Sequence, residues 1–76
     1  MPIDNEQQTQ TAIDTWRAEP PRAQLRLIAE ASDSLEMSLM YYEEKGSVPG
    51  MARAARCLAL LKARRAEIEA TTTIGS

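Results

Sequence analysis

The segment Lys45-Gly46-Ser47-Val48-Pro49-Gly50 constrains this chain most, because it separates two long runs of helical periodicity. Before it, Leu25, Ile28, Ser32, Leu35, Leu39 and Tyr42 recur at steps of three and four, the period of an α-helix. After it, Ala54, Cys57, Leu58, Leu61 and Ile68 keep the same period, among strong helix formers such as Ala52, Ala55, Ala59 and Leu60. Gly46 suits the left-handed conformation that closes a helix, and Lys45 opposes the negative end of the helix dipole. Ser47 can cap the next helix through its hydroxyl, with Pro49 tolerated in the first turn. Pro20 and Pro21 suit the start of the earlier helix, where a fixed φ helps and a missing N–H is not needed. These signals predict helices over about 21–45 and 48–70, within a unit spanning 20–70.

Each arm is roughly 22–25 residues, or about 33–37 Å at ~1.5 Å per residue. Equal arms and a short break predict an all-α, antiparallel helical hairpin. Pairing outward from the turn sets Tyr42 by Met51, Leu39 by Ala54 and Ala55, Leu35 by Leu58, and Leu25 by Ile68. Arg65 falls on the apolar stripe. It either snorkels, with its head in water, or meets a carboxylate of another chain.

Residues 1–19 form an N-terminal arm. Met1–Ile3 are expected to fray. Asp4 with Gln7 has the form of a capping box and predicts a short amphipathic helix from about Asn5 to about Ala18. Ile13 and Trp16 stand one turn apart on it. Either they cover one end of the hairpin or its dimer mate, or the arm folds on a target with Trp16 as the anchor. Thr71–Thr73 and Gly75 are expected to end the second arm, leaving 71–76 as a flexible tail.

A chain of 76 residues makes one domain at most and buries only about 60% of its unfolded surface. A two-helix layer has one face to bury, so a second copy is expected to complete it as a four-helix bundle. The net charge of −2 and pI near 5.0 argue against general affinity for nucleic acid. A single cysteine allows no intrachain disulfide and fits a reducing compartment. The first residues lack a basic region followed by an apolar run. No stretch approaches the ~18–20 apolar residues needed to cross a membrane, so a cytoplasmic protein is expected.

No histidine is present, nor any Glu-x-x-His, Cys-x-x-Cys or glycine-rich loop. No catalytic residue, metal site or cofactor is therefore expected, and attention moves to surfaces. Met37, Met40 and Tyr41 point away from the stripe of Ile28 and Leu35 and form a candidate interface. Arg53, Arg56, Leu60 and Arg64 share the outer face of the second arm, suited to acidic side chains or phosphates. Cys57, on or beside the apolar stripe, reads as a small buried hydrophobe.

The leading expectation is a small cytoplasmic interaction module of inhibitor, adaptor or co-chaperone type, acting on a partner protein and forming a homodimer. One alternative is a dimeric nucleic-acid-binding regulator that uses the arginine face. Another is a small-ligand binder with its pocket between subunits. In outline the chain resembles small helical-hairpin partner proteins, such as the short co-chaperones of type III secretion needle subunits and small phage-encoded inhibitors of host regulators. That resemblance rests on size, acidity and hairpin shape. It covers no motif and carries over no functional residue.

Overall fold

The structure, a computed structural model, describes residues 5–74, with side chains as far as Thr71. It is all-α: α1 spans Glu6–Trp16, α2 Pro21–Lys45 and α3 Val48–Ile74, with no strand among the described residues. The expected frayed start at Met1–Ile3, and Asp4, lie outside the described residues, as do Gly75 and Ser76.

Each helix end has a local cause. Asn5 is extended (φ −145°, ψ 173°), and its Oδ1 accepts the Gln8 N–H at 2.8 Å. Asn5 therefore caps the helix in place of the expected Asp4, one residue later. Asparagine ranks among the preferred N-caps, and Asp4 with Gln7 and Asn5 with Gln8 are indistinguishable by spacing. At the other end α1 stops at Trp16, before the expected Ala18. Ala18 and Glu19 donate back to the carbonyls of Thr15 and Trp16 at 3.4 and 2.8 Å, tightening the last turn. Glu19 precedes a proline, which disfavours helical backbone there.

Pro20 contributes no side-chain cap to α2. Gln24 instead ties the first turn to the residues before it: its backbone N–H reaches Pro20 O at 3.0 Å, and its side-chain Nε2 donates to Glu19 O at 2.8 Å. Past the end of α2, Gly46 adopts φ 69°. Ser47 N–H then bonds Tyr42 O at 2.9 Å and Gly46 N–H bonds Glu43 O at 3.2 Å, the two bonds of a Schellman closure. Ser47 Oγ accepts from Gly50 N–H at 3.3 Å and starts α3. That helix continues past the expected end at Ala70 to Ile74. Thr71 Oγ1 donates to Glu67 O at 2.9 Å, so a β-branched hydroxyl residue finds its partner within the helix. The propensity penalty of such residues, at most about 0.7 kcal/mol each, is too small to stop a helix already under way.

α3 packs against both other helices. Gln24, early in α2, meets Arg64 late in α3, and Tyr42, late in α2, seats against Gly50 early in α3. Glu6 of α1 lies 3.8 Å from Arg56 of α3. The core joins Ile13, Ile28, Leu35, Cys57, Leu61 and Ile68, with Trp16, Leu25, Ala31, Leu58 and Leu60 packed around it. Ile13 and Trp16 thus lie on the core formed with α2 and α3. Thr9, also fully buried, keeps its hydroxyl satisfied on Asn5 O at 2.9 Å.

The two glycines at the turn are needed for different reasons. Gly46 holds a positive φ with open space around it, whereas a Cβ on Gly50 would stand 2.5–2.9 Å from the Tyr42 ring. Gly46→Ala is expected to lose about 1 kcal/mol through the left-handed backbone alone. Gly50→Ala is expected to lose about 1 kcal/mol net, since overpacking outweighs the gain in helix propensity. Denaturant titrations separate the two: the Gly50→Ala loss shrinks in a Tyr42→Ala background, and the Gly46→Ala loss does not.

Candidate docking surface

Met37, Met40 and Tyr41 are 72%, 66% and 56% exposed. Leu35, on the same helix, is buried, and Met37 lies about 200° round the helix axis from it. Tyr41 is held in place by its neighbours. Its ring stands edge-on to Tyr42, with centroids 5.7 Å apart and planes at 66°, and Lys45 Nζ lies 5.7 Å from its centroid. Tyr42 is itself fixed between Gly50 and the Arg53 guanidinium, 5.9 Å from its ring. The glycine turn thereby orients an exposed aromatic ring. Val48, at the start of α3, is exposed as well.

The patch faces away from the core and is not covered by α1. Where α1 runs beside α2, the two enclose an open groove of about 460 Å³ lined by Ala12, Thr15, Trp16, Leu27, Glu30, Ala31 and Ser34. Met37, Met40 and Tyr41 come after the last α2 residue of that lining.

Acids surround the patch. Glu30, Asp33, Glu36, Glu43 and Glu44 are exposed. Among the described residues, none of the five has an ion-pair partner. Four carboxylates elsewhere are engaged: Glu6 with Arg56, Asp14 with Arg17 at 3.4 Å, Glu67 with Arg64 at 3.7 Å and Glu69 with Arg65 at 3.4 Å.

The arginine face expected on α3 does not form one free surface. Arg53 lies over Tyr42, and Arg56, although exposed, pairs with Glu6. Leu60 turns toward the core. The Arg64 side chain is only 16% exposed and donates through Nη2 to Gln24 Oε1 at 2.9 Å, while its buried Nε has no acceptor. Arg65, expected on the apolar stripe with its head in water or on another chain's carboxylate, lines open pockets with Leu25, Ile28 and Leu58 and turns an exposed head to Glu69 of its own chain. Both arginines follow Leu61 at helical spacing, and Gln24 supplies an acceptor to Arg64 alone. Trp16 is half-buried against the core rather than free as an anchor. Gln24 itself escaped the sequence reading. The available signal was its place four residues before Ile28, a polar residue in the apolar phase of α2.

Cys57 is a free thiol with no exposed surface, as expected of a small buried hydrophobe. Among the described residues, no group of three His, Cys, Asp or Glu could hold a metal ion, and no helix is long and apolar enough to cross a membrane. No protein-family model matches the chain, and no curated protein or solved structure matches it.

Two mutational contrasts follow from this geometry. Arg64→Ala strands the Gln24 carbonyl and is expected to lose about 1–3 kcal/mol in chemical denaturation. Arg56→Ala breaks only an exposed pair and is expected to lose under about 1 kcal/mol. Cys57 is expected to resist a thiol reagent in the folded protein and to react at the rate of a free thiol in denaturant. Labelling kinetics monitored by absorbance check this directly.

Proposed function

We propose that this chain is a small, non-catalytic helical interaction module that docks a helix of a partner protein on the outward face of α2. The observation that carries this reading is the joint exposure of Met37, Met40 and Tyr41 on one helical face. Methionine side chains adapt to a partner's shape, and a tyrosine with its ring held in place adds contact area at little conformational cost. A partner helix would lay its apolar side chains across these three, in the manner of a helix held in a shallow groove.

In this reading α2 and α3 form an antiparallel hairpin. α1 braces it from one side and leaves the far half of α2 open. The protein works in the cytoplasm by occupying a partner's helix, as an inhibitor, an adaptor or a co-chaperone does. Pairing of the same face with a second copy, giving a four-helix bundle, is the competing use of the surface. The nucleic-acid reading has little left to stand on, since Arg56 and Arg64 are engaged within the chain.

A photo-crosslinking residue at Met40, compared with one at Glu67, tests the proposal in cells that make the protein. The expected result is a discrete heterologous adduct from position 40 that is absent from position 67. An adduct of twice the chain's own mass would assign the face to self-pairing. No adduct, or the same adducts from both positions, would end the docking reading.

A further inference from the structure

The acids around the exposed patch say what kind of helix fits it. Counting ~100° per residue from Met37, Glu30, Asp33 and Glu44 fall within about 40° of it, on the outward side of α2. Glu36 and Glu43 lie on the Met40 side, at about 100–120° from Met37. All five are exposed and, among the described residues, without an ion-pair partner. Lys45, the nearby cation on α2, already sits over the Tyr41 ring. The apolar contact area is therefore bordered by carboxylates that form no ion pair among the described residues, with Lys62 and Arg65 across an open pocket from Glu36 on the α3 side.

We infer that the occupant of this face is a cationic amphipathic helix: two or three apolar side chains at helical spacing, flanked by lysines or arginines. This rests on the docking reading above and specifies its partner. The Met37, Met40 and Tyr41 side chains supply apolar contact, and the acidic border selects and orients the incoming helix. Each exposed charge pair adds little affinity, but together they steer the encounter and reject acidic partners. A second copy of this chain fits less well. Two-fold antiparallel pairing of the patch on itself brings like flanks together, setting Glu36 of one copy by Glu43 of the other.

The test uses the full chain and two synthetic amphipathic peptides. One is built of leucine and lysine, the other of leucine and glutamate. Methionine methyl resonances report contact at Met37 and Met40, and calorimetry gives affinity at low and high salt. The leucine–lysine peptide is expected to shift these methyls, with affinity that falls as salt rises, and the leucine–glutamate peptide to leave them unmoved. The double variant Glu36→Lys/Glu43→Lys is expected to weaken binding by at least about tenfold. Asp14→Lys/Glu19→Lys, an equal change of charge away from the patch, is expected to stay within about twofold. Circular dichroism confirms that both variants remain helical.

Equal losses in the two variants would reduce the effect to net charge and overturn the inference. Equal binding of both peptides would overturn the cationic preference while leaving the docking face intact. Methyl shifts that track dilution, with a doubling of mass by light scattering, would put a second copy there instead. If neither peptide moves the methyls and the chain stays monomeric, the docking reading falls with the inference.

Discussion

The structure depends on one strip of α3, where Cys57 and Leu61 have no exposed surface and Ala54 and Ile68 are nearly as buried. Both other helices pack against α3, so a single face organises three elements. Small residues suit such a shared position. A thiol and a methyl let backbones approach, and Leu61 supplies bulk where the three helices meet. A chain of this size has few large apolar side chains to spend, and using one stripe twice is an economical way to enclose a core.

The same economy explains what is left open. α1 has 11 residues and α2 has 25, so the shorter helix cannot shield the longer along its full length. The surplus falls on the half of α2 that carries the two methionines and Tyr41. The exposed patch lies on that half and on the face turned away from Leu35, and its chemistry follows from which residues α2 places there. The acids of α2 differ from those of α1 and α3 in a related way. Most of the others pair with an arginine, whereas among the described residues those of α2 form no ion pair, although Arg65 lines open pockets with Asp33 and Glu36.

Much of the local architecture was legible in the residues. Pro20-Pro21, Gly46 and Ser47 act through backbone geometry within a few positions, so the start and end of α2 and the start of α3 could be read directly. The outward phase of Met37, Met40 and Tyr41 followed from simple helical arithmetic. Errors arose where two neighbouring residues satisfied the same rule. Asp4 and Asn5 each stand three residues before a glutamine, and Arg64 and Arg65 each follow Leu61 at helical spacing. The second ambiguity is settled by Gln24, 40 residues away in sequence, which no local pattern reveals. Gly50 was read as part of a turn, but its lack of a side chain also makes room for Tyr42. The threonines at the end of α3 were read as a stop, because a back-bonded hydroxyl cannot be foreseen from propensity.

The arrangement of ends has a practical meaning. Thr71 of α3 lies with Pro21, at the beginning of α2, around a small pocket that also includes Gln24, Arg64 and Ile68. Met40 stands 19 residues further along α2, roughly 28 Å away at ~1.5 Å per residue. The molecule is a rod of 45 × 20 × 15 Å. The end of α3 and the beginning of α2, at Thr71 and Pro21, therefore lie toward one end of that rod, and the exposed Met37, Met40 and Tyr41 toward the other, so the patch stands well away from where α2 starts.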